Sequence, residues 1–352
     1  MASMRATIFN APGDVTVEDR QLPEPGPREL RMAVAAASLC ASDVRVYRGE
    51  KHADAGVIPG HEIAGVIDAV GDGVEGFAEG DRVIICPILA CGHCRYCLIG
   101  KRNRCVSRRT LGYDLDGGFA QHLLIPEELV SLGHVMKMPD HLPMDVAALT
   151  EPTACTLNSI ELCEVVPGTS LAIVGAGPMG LLHLLLARAA GAAPIIVSEP
   201  IAERREIASH WGADLVLDPE SDDVPAATRG ITDGYGADAV VLTVGVPALV
   251  QPSLDLVRKQ GIVNLFAGFP AGSDPVPFDP NFIHYSEVVL SGSQNATTDQ
   301  YRRTLAMIGT IEHMADVATN RYDIEHAPDA YTARLAMNGL KSLVEFPGVD
   351  AV

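Results

Sequence analysis

Residues 171–180 read LAIVGAGPMG, and residues 195–200 read IIVSEP. An apolar strand, a glycine-rich turn, a helix-forming stretch and a second strand ending in an acid make one βαβ unit. Each glycine has a separate physical task there. Gly175 permits the tight turn, Gly177 lets a pyrophosphate approach the backbone, and Gly180 lets helix and strand pack closely. The helix N-terminus that follows presents free N–H groups to negative phosphates. Glu199, at the end of the second strand, suits the two hydroxyls of a ribose and repels a 2′-phosphate, which favours NAD over NADP. Arg204 and Arg205 pull the other way, since a guanidinium can neutralise that phosphate. The stretch Leu171–Val197 is long enough to span a bilayer, but it holds His183, Arg188, Pro178, Pro194 and four glycines, so a buried strand–helix–strand explains it better.

Outward from this unit the pattern repeats. Leu171–Val174, Ile195–Ser198, Asp214–Leu217, Ala239–Val244, Ile262–Phe266 and Val288–Leu290 read as six short apolar strands. Helical spacing lies between most of them, at Met179–Ala190, Ala202–Trp211 and Pro247–Lys259. Strands alternating with helices predict an α/β fold with a doubly wound parallel sheet. Before it the chain is mostly β, with strands expected at Arg5–Phe9, Leu30–Ala37, Glu62–Val70, Arg82–Cys86 and Phe119–Ile125. After it come helical pieces at Tyr301–Met314 and Ala327–Asn338 and a last strand at Ser342–Phe346. A chain of 352 residues is long for one core. The expected division is a first domain over 1–155, a nucleotide domain over 156–295, with the break near Pro152–Pro167, and a tail over 296–352 that packs back on the first domain.

Eight cysteines are present, four of them in one short loop as Cys91-x-x-Cys94-x-x-Cys97 and Cys105. The N-terminal residues show no basic stretch followed by an apolar one, so no secretory signal is read and a cytoplasmic protein is expected. In that setting clustered thiols point to metal before disulfides. Four sulfurs with no open position suit a tetrahedral structural zinc, and an iron–sulfur cluster is the rival. Cys86, Cys155 and Cys163 read as small buried residues. A second constellation is Cys40-Ala41-Ser42-Asp43 after one strand, Gly60-His61-Glu62 before another, and Glu151-Pro152 near the expected domain break. Thiolate, imidazole and carboxylate suit a catalytic zinc that keeps a position open.

Lys and Arg number 26 against 45 Asp and Glu, a formal charge of −19. That argues against nucleic acid and anionic membrane as partners. The richest basic run, Lys101–Arg109, lies inside the cysteine loop.

These elements together, in order and spacing, resemble the zinc-dependent medium-chain alcohol dehydrogenases: Cys40-x-Ser42-Asp43, Gly60-His61-Glu62, the Cys91/Cys94/Cys97/Cys105 lobe, Glu151-Pro152 and the glycine loop at Gly175. Glu151-Pro152, where simple alcohol dehydrogenases carry a cysteine, resembles the polyol branch of sorbitol, threonine and cyclitol dehydrogenases. The resemblance implies a β-rich GroES-like catalytic domain plus a six-stranded Rossmann domain, two zinc ions per chain, NAD with NADP as the alternative, a small polyol, sugar or cyclitol substrate, and a homodimer or homotetramer. It implies that Cys40 and His61 hold the catalytic zinc. Glu62 and Glu151 share the carboxylate role directly or through water, Asp43 orients His61, and Ser42 takes the hydroxyl proton. Arg45 stands where relatives often carry a relay histidine. An arginine stays protonated, so either the proton leaves Ser42 by another route, through water or the ribose, with nearby His52 a candidate, or Arg45 contacts the cofactor phosphates instead.

The cofactor contacts then expected are Gly175, Gly177, Pro178, Met179, Gly180, Glu199, Arg204, Val244 and Phe266. Substrate contacts are expected from Tyr47, Tyr113, Glu151, Gln294 and Asn295, with Asp114 and Asp116 nearby. The reaction implied is oxidation of a secondary alcohol, with hydride passing to the nicotinamide in a cleft at the domain junction. A simple alcohol dehydrogenase or aldehyde reductase, and a non-catalytic nucleotide-binding redox sensor, are the competing readings.

Overall fold

The computed structural model describes residues 2–270, 272–273 and 275–349. The chain divides into two units. The first takes Met1–Ala154, Ala296–Thr310 and Ala315–Val352; the second takes Cys155–Asn295 with Ile311–Met314.

In the second unit, six parallel strands lie in the order Leu215–Leu217, Ile195–Ser198, Leu171–Val174, Ala237–Leu242, Val257–Leu265, Val289–Gly292. The sheet thus grows outward in both directions from the Leu171–Val174 strand, which is the doubly wound arrangement, and its turn lies where the strand order reverses. All four residues of that strand are buried. The Pro178–Ala189 helix buries Leu181, Leu182, Leu184, Leu185 and Leu186, each worth on the order of 2 kcal/mol.

The first unit is built on a sheet in the order Ala318–Tyr322, Lys341–Glu345, Leu30–Ser38, Glu62–Val70, Arg82–Ile85, Val135–Lys137, with His122–Ile125 also paired to Leu30–Ser38. A hairpin of Ser3–Ala11 and Asp14–Gln21 adds to it a core that includes Ile8, Phe119 and Ile125. The short pair Ile88–Leu89 and Arg109–Thr110 closes the base of the cysteine loop. Register decides what meets at one end of this sheet. Leu343 lies opposite Ser38, and Ser38 lies opposite Glu62. The tail therefore delivers its last strand beside the one that leads into Cys40.

Several expected elements differ. Pro247–Lys259 is not one helix. A 3-10 turn at Pro247–Leu249 leads into a short helix, Val250–Leu254, and Val257 already begins a strand. Val250, Leu254 and Val257 have helical spacing, but pairing of Val257 with Ala237 outweighs local propensity. The Tyr301–Met314 helix stops at Met307 and passes through Ile308–Thr310. His313 takes a left-handed φ of 60° and stacks on Trp211 at 5.5 Å within the second unit. The division after Ala154 falls inside a helix, Thr150–Leu162. Strands at Asp14–Gln21 and Ala318–Tyr322 and helices at Ala41–Tyr47, Val224–Ile231 and Pro280–Ser286 have no counterpart in the sequence reading. Among the described residues no helix is long and apolar enough to cross a membrane.

Candidate functional site

The nucleotide turn is explained by two glycines. Gly175 has a φ of 99°, and a Cβ there would meet Thr243 Oγ1 and Val244 Cγ1 at 2.8 Å. A Cβ on Gly180 would come within 1.8 Å of the Gly175 carbonyl oxygen, so strand and helix touch backbone to backbone. At Gly177 the space is open: a Cβ would find only Arg204 Nη1, at 3.9 Å. The backbone there is open to an anionic group, with an arginine at its rim. Pro178 occupies the first turn of the helix and Met179 is half-buried beside it. Glu199 is 3% exposed. Its Oε2 accepts the Ala176 N–H at 2.6 Å and its Oε1 accepts the Ile201 N–H at 3.0 Å. The carboxylate is locked at the end of the Ile195–Ser198 strand, and each oxygen keeps a second lone pair. Arg205 is committed elsewhere, to Asp218 at 2.9 Å and to the carbonyls of Glu199 and Pro200. Val244 lies against the glycine turn, and Phe266 meets His183 edge-on at 4.6 Å.

In the first unit, Cys91, Cys94, Cys97 and Cys105 bring their sulfurs within 4.8 Å of one another. Cys94 Sγ and Cys97 Sγ are 3.5 Å apart, and Cys91 Sγ and Cys97 Sγ 4.0 Å. A sulfur tetrahedron around zinc has edges of about 3.8 Å, whereas a disulfide needs about 2 Å. All eight cysteines are free thiols. Backbone donors at Val106 and Cys97 pull the Cys94 thiol down to about 6, toward the thiolate that binds metal. The lobe fits a closed tetrahedral ion.

The second cluster joins Cys40, His61 and Glu62, whose ligand atoms also lie within 4.8 Å of one another. Asp43 organises it. Its Oδ2 accepts the Cys40 N–H at 2.9 Å, and its Oδ1 lies 3.2 Å from His61 Nδ1. With Nδ1 turned to a carboxylate, Nε2 is left for a metal. Burial opposes the Asp43 charge, yet His61 and the Cys40 N–H hold its carboxyl below the usual range. Burial likewise disfavours a charged His61, but Asp43 and Cys40 raise it well above the ordinary imidazole value. A pocket that draws a proton onto a buried histidine is an anionic pocket suited to a cation. Glu62 is fully buried, and both its oxygens contact Lys341 Nζ, at 2.7 and 2.6 Å.

Ser42 Oγ donates to Cys40 Sγ at 3.1 Å and lies 2.6 Å from the Tyr113 hydroxyl. The one Ser42 proton is spent on sulfur, so Tyr113 donates to Ser42. Burial and nearby negative charge hold the Tyr113 phenol well above its ordinary value. Glu151 is 8% exposed and stands outside the close ligand group, but its charge is felt at Tyr113 and Lys341.

Other expected residues have structural partners. Tyr47 packs on Tyr331 at 5.4 Å. Asp114 and Asp116 accept the backbone N–H groups of Thr110 and Ile58. His52 pairs with Asp54 at the surface, and Arg45 lies 3.7 Å from Glu50. Gln294 and Asn295 belong to the second unit, where Gln294 is exposed and the Asn295 carbonyl accepts from Asn158 Nδ2 at 2.9 Å. The sequence reading missed Lys341, which sits 279 positions from Glu62, and the ammonium of Lys51 over the Tyr113 ring. No local spacing signals either contact; a lysine opening an apolar strand was the one available hint for Lys341.

Comparison with known proteins agrees with this chemistry. Residues 26–140 match the alcohol dehydrogenase GroES-like domain, and residues 178–310 match the zinc-binding dehydrogenase domain. An L-threonine 3-dehydrogenase of Pyrococcus abyssi is 36% identical over 77% of this chain and 77% of its own length. A sorbitol dehydrogenase of Halalkalibacterium halodurans is 31% identical over 94% of this chain and 96% of its own. A zinc-binding dehydrogenase of Sinorhizobium meliloti, solved bound to NADP, superposes with a TM-score of 0.92 at 31% identity, covering 98% of this chain and 100% of that one.

Proposed function

Given that the chain belongs to the zinc-dependent medium-chain dehydrogenases, in their polyol branch, we propose that it oxidises one secondary hydroxyl of a polyol, sugar or cyclitol to the ketone, reversibly, with NAD as hydride acceptor. It is an NAD(P)-dependent secondary-alcohol dehydrogenase; the substrate class, the lean to NAD and the residue roles are our reading.

The observation that carries this reading is the joined cluster of Cys40, His61 and Glu62 with Ser42 Oγ bonded at its edge. Cys40 and His61 would hold zinc together with a carboxylate from Glu62 or Glu151, and the Cys91/Cys94/Cys97/Cys105 lobe would hold a second, structural ion. Bound zinc supplies Lewis acidity toward a substrate hydroxyl, and bound nicotinamide supplies the hydride acceptor. The protein's own groups do the rest. Asp43 keeps the His61 ring in one tautomer and orientation. Ser42 Oγ takes the substrate proton only as it releases its own to solvent, its orientation set by the Tyr113 hydroxyl. Glu199 takes the adenosine ribose hydroxyls through its remaining lone pairs, and the Gly175–Gly180 turn, with Arg204 at its rim, takes the pyrophosphate. Arg45, 3.7 Å from Glu50, stands apart from this proton path.

A homodimer or homotetramer in the cytoplasm completes the reading. The Val289–Gly292 strand ends the second sheet, with Val289 52% exposed and Tyr285 76% exposed beside it, an edge suited to self-pairing. Eight free thiols, five of them in proposed metal sites, suit a reducing compartment. The test is a panel of hexitols, inositols and simple alcohols with zinc and either cofactor, read at the reduced-nicotinamide band. Oxidation of a vicinal diol with NAD supports the reading. Ethanol or benzyl alcohol outrunning every polyol, or no turnover across the panel, overturns it.

A further inference from the structure

The chain is strongly acidic, yet cations gather around the proposed reacting centre. Lys51 Nζ sits 3.5 Å over the centre of the Tyr113 ring, and the same ring carries the hydroxyl bonded to Ser42. Surrounding protein lowers the Lys51 pKa; Cys40 and Asp43 attract its charge while Arg108 and Arg45 oppose it. Glu50 lies near Arg45 at 3.7 Å and Arg48 at 4.0 Å, and Asp54 takes His52. Among the described residues no carboxylate comes within 4.0 Å of Lys51 or Arg108. Arg108 spends one bond on the Asn103 carbonyl at 3.3 Å, and among the described residues the contact of the Lys51 ammonium is the Tyr113 ring. Lys51 also lines an open cleft of about 470 Å³ with Phe9, Asn10, Glu50 and His52.

A cation without a carboxylate partner, beside a reactive hydroxyl and at the edge of an open cleft, is a place for an anionic group of a ligand. We propose that the substrate of this site is a polyhydroxy acid, such as an aldonate, and that Lys51 receives its carboxylate while the reacting hydroxyl lies at Ser42. This rests on the dehydrogenase reading above and narrows it from neutral polyols to their acids. The physical sense is local focusing. A protein of formal charge −19 repels anions at long range, so an anionic substrate needs cations at the site itself. A neutral alditol of the same stereochemistry gains nothing from Lys51.

The test uses the zinc-loaded enzyme with NAD and two matched pairs, gluconate against sorbitol and galactonate against galactitol. The expected result is a higher kcat/KM for the acid in at least one pair. In Lys51→Gln the acid-to-alditol ratio of kcat/KM falls about 10- to 100-fold, carried mainly by KM, and Lys51→Arg restores most of it. Raising ionic strength lowers the wild-type ratio toward the Lys51→Gln value. Faster oxidation of the alditol in both pairs overturns the proposal while leaving the dehydrogenase reading intact. So does a ratio that Lys51→Gln leaves unchanged. Wild-type enzyme inert toward both acids and both alditols overturns the proposal, and inertness that extends to the inositols and simple alcohols overturns the dehydrogenase reading as well.

Discussion

Lys341 and Glu62 form a fully enclosed ion pair, with Nζ 2.6 and 2.7 Å from the two carboxylate oxygens and neither residue more than 3% exposed. The pair ties the last strand of the chain to the strand that follows His61, within the first unit. Burial opposes the Lys341 charge, but Glu62 and Cys40 raise its pKa above the ordinary lysine value.

Removing one partner strands a charge. In zinc-free protein, Lys341→Met is expected to lower stability by about 3–5 kcal/mol, because Glu62 then lies buried and unpaired. The double variant Glu62→Gln with Lys341→Met should recover a large part of that loss, and a double-mutant cycle on urea unfolding measures it. Equal stability of Lys341→Met and wild type would show that the pair does not carry the strand.

Two metal sites should separate by mutation. Wild-type protein is expected to carry about two zinc ions per chain by elemental analysis. Cys40→Ala should leave about one, keep the fold and lose turnover; Cys94→Ala should also leave about one but lower the thermal midpoint. Full metal content in either variant removes that cysteine from its site.

Ser42 and Tyr113 should act as a unit. Ser42→Ala is expected to cost about 100-fold or more in kcat. Tyr113→Phe, which loses only the hydroxyl at 2.6 Å, should cost about 10-fold and add little in the Ser42→Ala background. A multiplicative double variant would make Tyr113 an independent substrate contact.

Cofactor choice should turn on Glu199. Glu199→Ser frees the Ala176 and Ile201 N–H groups and removes the charge that repels a 2′-phosphate. The ratio of kcat/KM for NADP over NAD should rise by about 10-fold or more, with Arg204 at hand for the phosphate. An unchanged ratio would move the discrimination elsewhere.

Acid should weaken the nucleotide unit through His183. Burial lowers its pKa to about 4; Nδ1 donates to the Met179 carbonyl at 2.6 Å, and Nε2 is without a partner. The unfolded chain takes up its proton near pH 6.5 and the folded one only near 4, so this stabilisation is complete above about 6.5 and declines as pH falls toward 4. His183→Leu should remove up to about 3 kcal/mol of that decline, seen as a flatter dependence of the urea midpoint on pH between those limits. A dependence as steep as wild type would exclude His183 as its source.

The nucleotide half was legible because its signals are local. A strand of four buried residues, a glycine forced by a left-handed φ and a glycine pressed against a carbonyl all lie within ten residues, and each limits which residue the backbone accepts. The four-cysteine lobe was legible for the same reason: fifteen residues of chain can close around one ion without help from the rest of the fold. Pro247–Lys259 was misread because spacing alone cannot tell a short helix followed by a buried strand from one amphipathic helix.

The sequence by itself determined the two architectures, the thiol cluster and the order in which Cys40, Ser42, His61 and Glu62 arrive. The tertiary structure decided what each of them faces: Lys341 across two strand pairings onto Glu62, Tyr113 onto Ser42, and Lys51 over the ring of Tyr113. Those contacts join residues that are far apart in the chain or lie on different loops. Their energy depends on register and burial, which no window of sequence contains.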